Sequence, residues 1–146
     1  LDAAIKCDGP TLIGTRKTPI MVVSGTGSTG DDINAFTGSA FTLYGHPYCW
    51  VNFPDKTTGD VQLSAQYLVN AIRWESAQAK RKIAVIGISQ GGLLPRWALT
   101  WWPSLRSKVD DVIAVAGTQH GSDLIRDQYA SMACSGFGGC PPSIFQ

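Results

Sequence analysis

Residues 83–91 read IAVIGISQG. An apolar, β-branched run from Ile83 to Ile88 breaks into Gly87-Ile88-Ser89-Gln90-Gly91. A near-continuous apolar stretch of this length suits a parallel strand covered on both faces. The G-x-S-x-G that ends it is the pattern that places a serine on a sharp strand-to-helix turn, with its hydroxyl exposed above a sheet. The bare pentapeptide is a weak signal, and its surroundings sharpen it. A strand precedes it, a helix-like segment follows, and Gly87, Gly91 and Gly92 keep a crowded turn clear of side chains. A helix N-terminus behind the serine favours developing negative charge, and the Gln90 backbone N–H would point toward an oxyanion. The plainer alternative is that Ser89 caps the helix.

Working outward, Thr18–Ser24 (TPIMVVS) reads as a strand, and Tyr48–Phe53 (YCWVNF) as another, closed by Pro54. Val112–Ala116 (VIAVA) is a further strand. A helix is expected from Asp31 to about Tyr44. Asp60 can cap a second, whose buried stripe is Val61, Ala65, Leu68 and Ile72. The helix after the elbow runs from Gln90 to about Trp102, and Pro95 should bend or shorten it. Trp97, Trp101 and Trp102 fall on that helix, where packing is the first expectation and contact with lipid or substrate the second. Strands alternating with helices predict a mostly parallel, doubly wound α/β sheet of about four strands, small for its class and open at one edge. Residues 1–146 thus read as one incomplete domain, with a lid-like or loop excursion over 119–146.

The 146 residues carry 12 basic and 11 acidic side chains, which leaves no electrostatic footprint for nucleic acid. Lys80-Arg81-Lys82 reads as solvated charge beside a helix C-terminus. No apolar run approaches the about 18 residues of a membrane span. With no starting Met and no signal peptide, the chain reads as a mature or processed product. Four cysteines allow three full pairings. Joining Cys7 to Cys49 would close a loop of about 43 residues, worth roughly 4 kcal/mol in the chain-entropy view. Cys134 and Cys140 enclose a glycine-rich span that could close on itself. The even count, with no metal-ligand spacing and no C-x-x-C, favours an oxidising, secreted setting and neither metal nor cofactor.

Gly25–Gly30 (GTGSTG) follows a strand and admits two roles. As G-x-G-x-x-G it matches a dinucleotide fingerprint, which needs a ribose-binding acid about 20 residues on. Asp55, beyond Pro54, is the candidate. Alternatively it is the loop that supplies a second oxyanion donor, from the Thr26 backbone N–H and hydroxyl. That role uses both motifs together, whereas a dinucleotide site leaves the elbow unexplained. A serine nucleophile also needs a base held by a third group. The chain has two histidines. His120, with Asp123 nearby, comes too early for the Ser, Asp/Glu, His chain order of these folds and reads as a loop-ordering or pocket-lining residue. Asp110 and Asp111 precede the VIAVA strand and so belong at the opposite edge, as does His46 beside Pro47.

With LDAAIKC, GTGSTG, PYCW, YLVNAI, SQGGL and WALTWWPSLRSKVD in view, the chain resembles the fungal lipases of the Candida antarctica lipase B-like family. The resemblance implies an α/β-hydrolase fold, here its N-terminal portion, and hydrolysis of carboxylic esters and triacylglycerols. It implies Ser89 as nucleophile, Thr26 and Gln90 as the oxyanion hole, and a Cys7–Cys49 disulfide. Ile88 stands where the best-known member has a tryptophan, implying a roomier alcohol-side pocket. Thr118 stands where that member has an aspartate, and TQHGS is closer to other lipases and acyl-protein thioesterases. The family's catalytic Asp and His fall beyond the position matching Gln146. A missing segment or a second polypeptide would have to supply them, and this chain alone should be nearly inactive. The expected protein is a secreted serine lipase or esterase that meets lipid at an interface. A dinucleotide-binding domain and an inactive α/β-hydrolase-like binding module are the alternatives from other classes.

Overall fold

The computed structural model describes residues 1–121. Its elements are β1 (Ile5–Asp8), β2 (Ile20–Val23), α1 (Gly30–Leu43), β3 (Tyr48–Val51), α2 (Val61–Ala79), β4 (Ile83–Ile88), α3 (Gln90–Trp101) and β5 (Val109–Val115). The sheet order is β1-β3-β2-β4-β5. β2, β3, β4 and β5 are parallel, and β1 lies antiparallel along β3. Among the described residues the sheet therefore has five strands where about four were expected. β1 escapes sequence reading because it is four residues long and largely exposed, with no alternation to betray it.

Period-two alternation sorts the apolar side chains of the central strands onto two faces. Met21, Val23, Cys49, Val51, Ile83 and Val85 pack against α2 and α3 through Leu68, Ile72, Leu94 and Ala98. Ile20, Val22, Tyr48 and Trp50 face the other way, against Ile33 and Phe41 of α1. Fully buried residues such as Leu68, Ile72 and Leu94 each contribute about 1.5–3 kcal/mol of apolar burial. Asp60 caps α2 as expected, accepting from the Gln62 N–H. Thr29 and Asp32 form a reciprocal capping box on α1.

Two local expectations change, and a third gains a detail. α3 continues through Pro95 to Trp101. The missing donor affects one bond near the start of a helix whose Leu94, Pro95 and Ala98 are buried, and tertiary packing carries the rest. Asp110 and Asp111 lie inside β5, not before it. The β4–β5 register jumps between Ile83–Val109 and Ala84–Asp111, so Asp110 is the extra residue of a bulge on an edge strand, where charge is tolerated. In the Lys80-Arg81-Lys82 cluster, Lys80 ends α2 in a left-handed conformation. Arg81 Nη1 reaches the carbonyls of Thr15, Arg16 and Lys17 at 3.1–3.4 Å, tying down the loop before β2.

The connectivity also positions the site. β2 leads to α1 on one face of the sheet, and the adjacent β4 leads to α3 on the other. The strand ends thus diverge between β2 and β4, the crevice where open α/β sheets bind ligands.

Candidate active site

Val23 pairs with Gly87, so the two loops leave neighbouring strands at the same level. Their backbones nearly touch. A Cβ built on Gly25 would lie 2.9 Å from both the Ile88 carbonyl and Ser89 Cβ, and 3.5 Å from Ser89 Oγ. A Cβ on Gly87 would meet the Gly91 carbonyl, and one on Gly91 the carbonyls of Val23 and Ser24. Glycine is required at these positions by close approach.

Ser89 has φ 56° and ψ −126°, a conformation that side-chain-bearing residues rarely adopt. Its N–H donates to the Val115 carbonyl at 3.0 Å, and its own carbonyl accepts from the Gly92 N–H at 2.9 Å. It precedes the first turn of α3, yet its side chain makes no capping hydrogen bond. Strain without a capping role is the pattern expected where a side chain is held for function.

Thr26 and Gln90 meet across the crevice. The Thr26 hydroxyl donates to Gln90 Oε1 at 2.7 Å, between an exposed Thr26 and a Gln90 that is 7% exposed. Sequence reading credited Gln90 with its backbone N–H alone, and its side chain adds the link to the loop after β2. That loop is tied elsewhere too. The Gly27 N–H donates to the Lys56 carbonyl at 2.8 Å, and the Thr57 hydroxyl lies 2.6 Å from the Gly25 carbonyl. Nothing in the residue types of PDKTTG, residues 54–59, signals these contacts.

The remaining candidates are dispersed around the elbow. Ile88 and Thr118 are half-buried. Gln119 turns back onto α3, its Nε2 donating to the Gly92 carbonyl at 2.8 Å while its Oε1 accepts from Arg96 at 3.2 Å. His120 stands exposed on the turn that follows. His46 Nδ1 lies 2.8 Å from the Thr18 carbonyl, at the start of β2 and so at the far end of the strands from Ser89. Cys7 and Cys49 are opposite one another in β1 and β3 and are joined as a disulfide. Cys134, Cys140 and Asp123 lie outside the described residues, as does the 119–146 excursion apart from its first residues.

The start of α1 is ill-suited to a pyrophosphate. The Asp31 N–H is taken by Asn52 Oδ1 at 3.2 Å, and the Asp32 N–H by Thr29 Oγ1 at 3.1 Å. Hydrogen bonds from the Lys6 ammonium and the Trp50 indole lower the Asp31 carboxyl from its ordinary 3.8, and those from Thr29 lower Asp32. Two carboxylates ionised at neutral pH would face the incoming anion. Asp55, the ribose candidate, sits exposed in a left-handed turn.

The chain is 39% identical over 128 residues to lipase B of Pseudozyma antarctica, an alignment that spans 85% of this chain and 36% of that protein. The crystal structure of Aspergillus fumigatus lipase B matches with a TM-score of 0.77 at 34% identity, over 83% of this chain and 29% of that one. The mature form of Bacillus licheniformis lipase BlEst2 matches with a TM-score of 0.76 over 97% of this chain and 59% of its own. Its identity is 19%, so that likeness concerns the fold. No protein-family model matches the chain. The chain is a homologue of the fungal lipase B proteins, built on the α/β-hydrolase fold and matching only part of their length.

Proposed function

We propose that the protein is a secreted serine ester hydrolase, a lipase or carboxylesterase, in which Ser89 is the nucleophile. One observation carries this reading: the strained backbone of Ser89 holds an uncapped serine at the switch-point crevice, beside a loop hydrogen-bonded to Gln90. Ser89 Oγ attacks the ester carbonyl carbon, the carbonyl π electrons move onto oxygen, and the serine proton passes to a general base. Collapse of the tetrahedral intermediate expels the alcohol, which takes that proton. Water then attacks the acyl-enzyme, releasing the acid and restoring the serine. The backbone N–H groups of Thr26 and Gln90 stabilise the oxyanion, and the Thr26 hydroxyl can turn from Gln90 Oε1 to add a third donor.

The catalytic Asp and His belong to sequence outside this chain, on a later segment or a second polypeptide. Losing such partners lowers the rate by many powers of ten, so residues 1–146 alone should be nearly inactive. Ester substrates follow from the kinship with lipase B. The Cys7–Cys49 disulfide supports an oxidising, extracellular destination. Among the described residues no helix is long and apolar enough to cross a membrane.

A fluorophosphonate probe tests the reading. The full-length protein should label at Ser89, Ser89→Ala should not label, and the 1–146 polypeptide should label only when the remaining segment is added. A full-length protein that stays unlabelled would sink the proposal.

A further inference from the structure

We infer that Asp55–Thr57 is a brace that sets the oxyanion loop, with Thr57 as its positioning residue. The inference rests on the serine-hydrolase reading above.

Three consecutive non-glycine residues, Asp55, Lys56 and Thr57, have φ of 51°, 50° and 60°. L-residues seldom enter this region, and then singly, while a β-branched residue there is an outlier. Pro54 and Gly59 flank the run without relieving it, since the strained positions themselves carry side chains. The conformation persists because contacts impose it, and those from Lys56 and Thr57 that reach beyond the turn fall on the loop after β2.

Thr57 is fully buried. Its hydroxyl lies 2.6 Å from the Gly25 carbonyl and 2.6 Å from the Lys56 carbonyl, with one proton to offer the two acceptors. The Lys56 carbonyl in turn accepts from the Gly27 N–H at 2.8 Å. Gly25 and Gly27 are the two neighbours of Thr26. Both peptide groups flanking the proposed oxyanion donor are thus fastened to the same strained turn, and neither is fastened through Thr26 itself. On the far side Gly25 abuts Ser89, which leaves the loop no room to move inward. In this left-handed turn the Lys56 carbonyl and the Thr57 hydroxyl lie 2.6 Å apart and both meet the glycine loop. The strain is explained as the geometry that lets adjacent residues grip both flanks of Thr26.

An oxyanion donor acts in the transition state, so loosening it should lower kcat and spare KM. Removing such a donor lowers kcat by about 10²–10³, and displacing it should cost a part of that. Thr57→Gly deletes the hydroxyl while suiting the positive φ, so the fold should be retained. Thr57→Ser keeps the hydroxyl. In the full-length protein acting on a p-nitrophenyl ester, Thr57→Gly should lose about tenfold or more in kcat with KM unchanged. Its melting temperature should match the wild type, and Thr57→Ser should restore kcat to within about threefold. Thr57→Gly with wild-type kcat, or Thr57→Ser as impaired as Thr57→Gly, would overturn the brace while leaving Ser89 labelling intact. Failure of the wild type to label with fluorophosphonate would overturn the hydrolase reading and the brace with it.

Discussion

Single residues carry the tightest constraints in this molecule, and two of them make opposite predictions about tolerance. Gly25 has no space: its missing side chain would press on the Ile88 carbonyl and on Ser89 itself. Gly25→Ala should therefore cost about 1–3 kcal/mol of stability, as overpacking does, and slow fluorophosphonate labelling of Ser89 in the full-length protein. Unchanged labelling would show that the two loops can part without consequence. Glu75 is the reverse case. It is fully buried on α2, and among the described residues neither carboxylate oxygen has a hydrogen-bond partner. Burial raises its pKa well above the ordinary 4.5. Between 4.5 and that raised value the folded state holds a proton that the unfolded chain has released. The contribution of Glu75 to stability is thus greatest below 4.5 and is lost as pH rises toward the folded value, by at most about 1.4 kcal/mol per pH unit. Asp31 and Asp32, whose pKa values are lowered, act in the opposite direction and below 3.8, so the two windows do not overlap. Urea unfolding at several pH values from 5 upward should show a decline in the wild type that Glu75→Gln lacks. Glu75→Leu should be more stable by about 1–3 kcal/mol at neutral pH. Equal slopes in wild type and Glu75→Gln would remove Glu75 as the source.

Elements differ in how plainly the sequence announces them, and the difference is physical. β4 matches its expected span, Ile83–Ile88, because a strand buried on both faces must be apolar throughout. α2 is legible from its stripe and from Asp60, since an amphipathic helix with a side-chain cap carries both signals locally. β1 is not, for its place depends on β3, far away in sequence. Cys7 opposite Cys49 is the link that makes the pairing durable, and resemblance to lipase B supplied it where spacing left three pairings open. Replacing both cysteines by serine should lower stability by about 2–4 kcal/mol, read as a shift in the denaturation midpoint. A shift close to zero would mean that β1 holds its place by strand pairing alone. The site divides in the same way. The serine elbow and the glycine loop are visible because close approach demands glycine at fixed spacing. The grip of Asp55–Thr57 on Gly25 and Gly27 is invisible, because nothing in the residue types of PDKTTG specifies three left-handed residues in succession.

Taken whole, the described residues leave one side of the sheet unfinished. β5 pairs with β4 along one edge, and among the described residues no strand pairs along the other. Val112, Ile113 and Val115 are 39%, 48% and 48% exposed, although parallel strands ordinarily have both faces covered. Alternation places Ile113 and Val115 on one face and Val112 on the other, so no single helix could cover all three. The chain spans 36% of the length of Pseudozyma antarctica lipase B, and in a protein of that length sequence outside the described residues would extend the sheet and roof both faces of β5. Expressed alone, residues 1–146 should therefore associate through this edge, since an apolar, unpaired strand is a template for another copy. Sedimentation at increasing concentration should show growing species that bind a hydrophobic dye. Ile113→Lys combined with Val115→Lys should return the polypeptide to a monomer, because lysines on a bare edge oppose strand addition. In the full-length protein the same pair should instead destabilise, since charges would be forced under covering sequence. Opposite responses in the two contexts would locate the missing partner of the sheet at β5. A wild-type 1–146 polypeptide that remains monomeric and binds no dye would place it elsewhere.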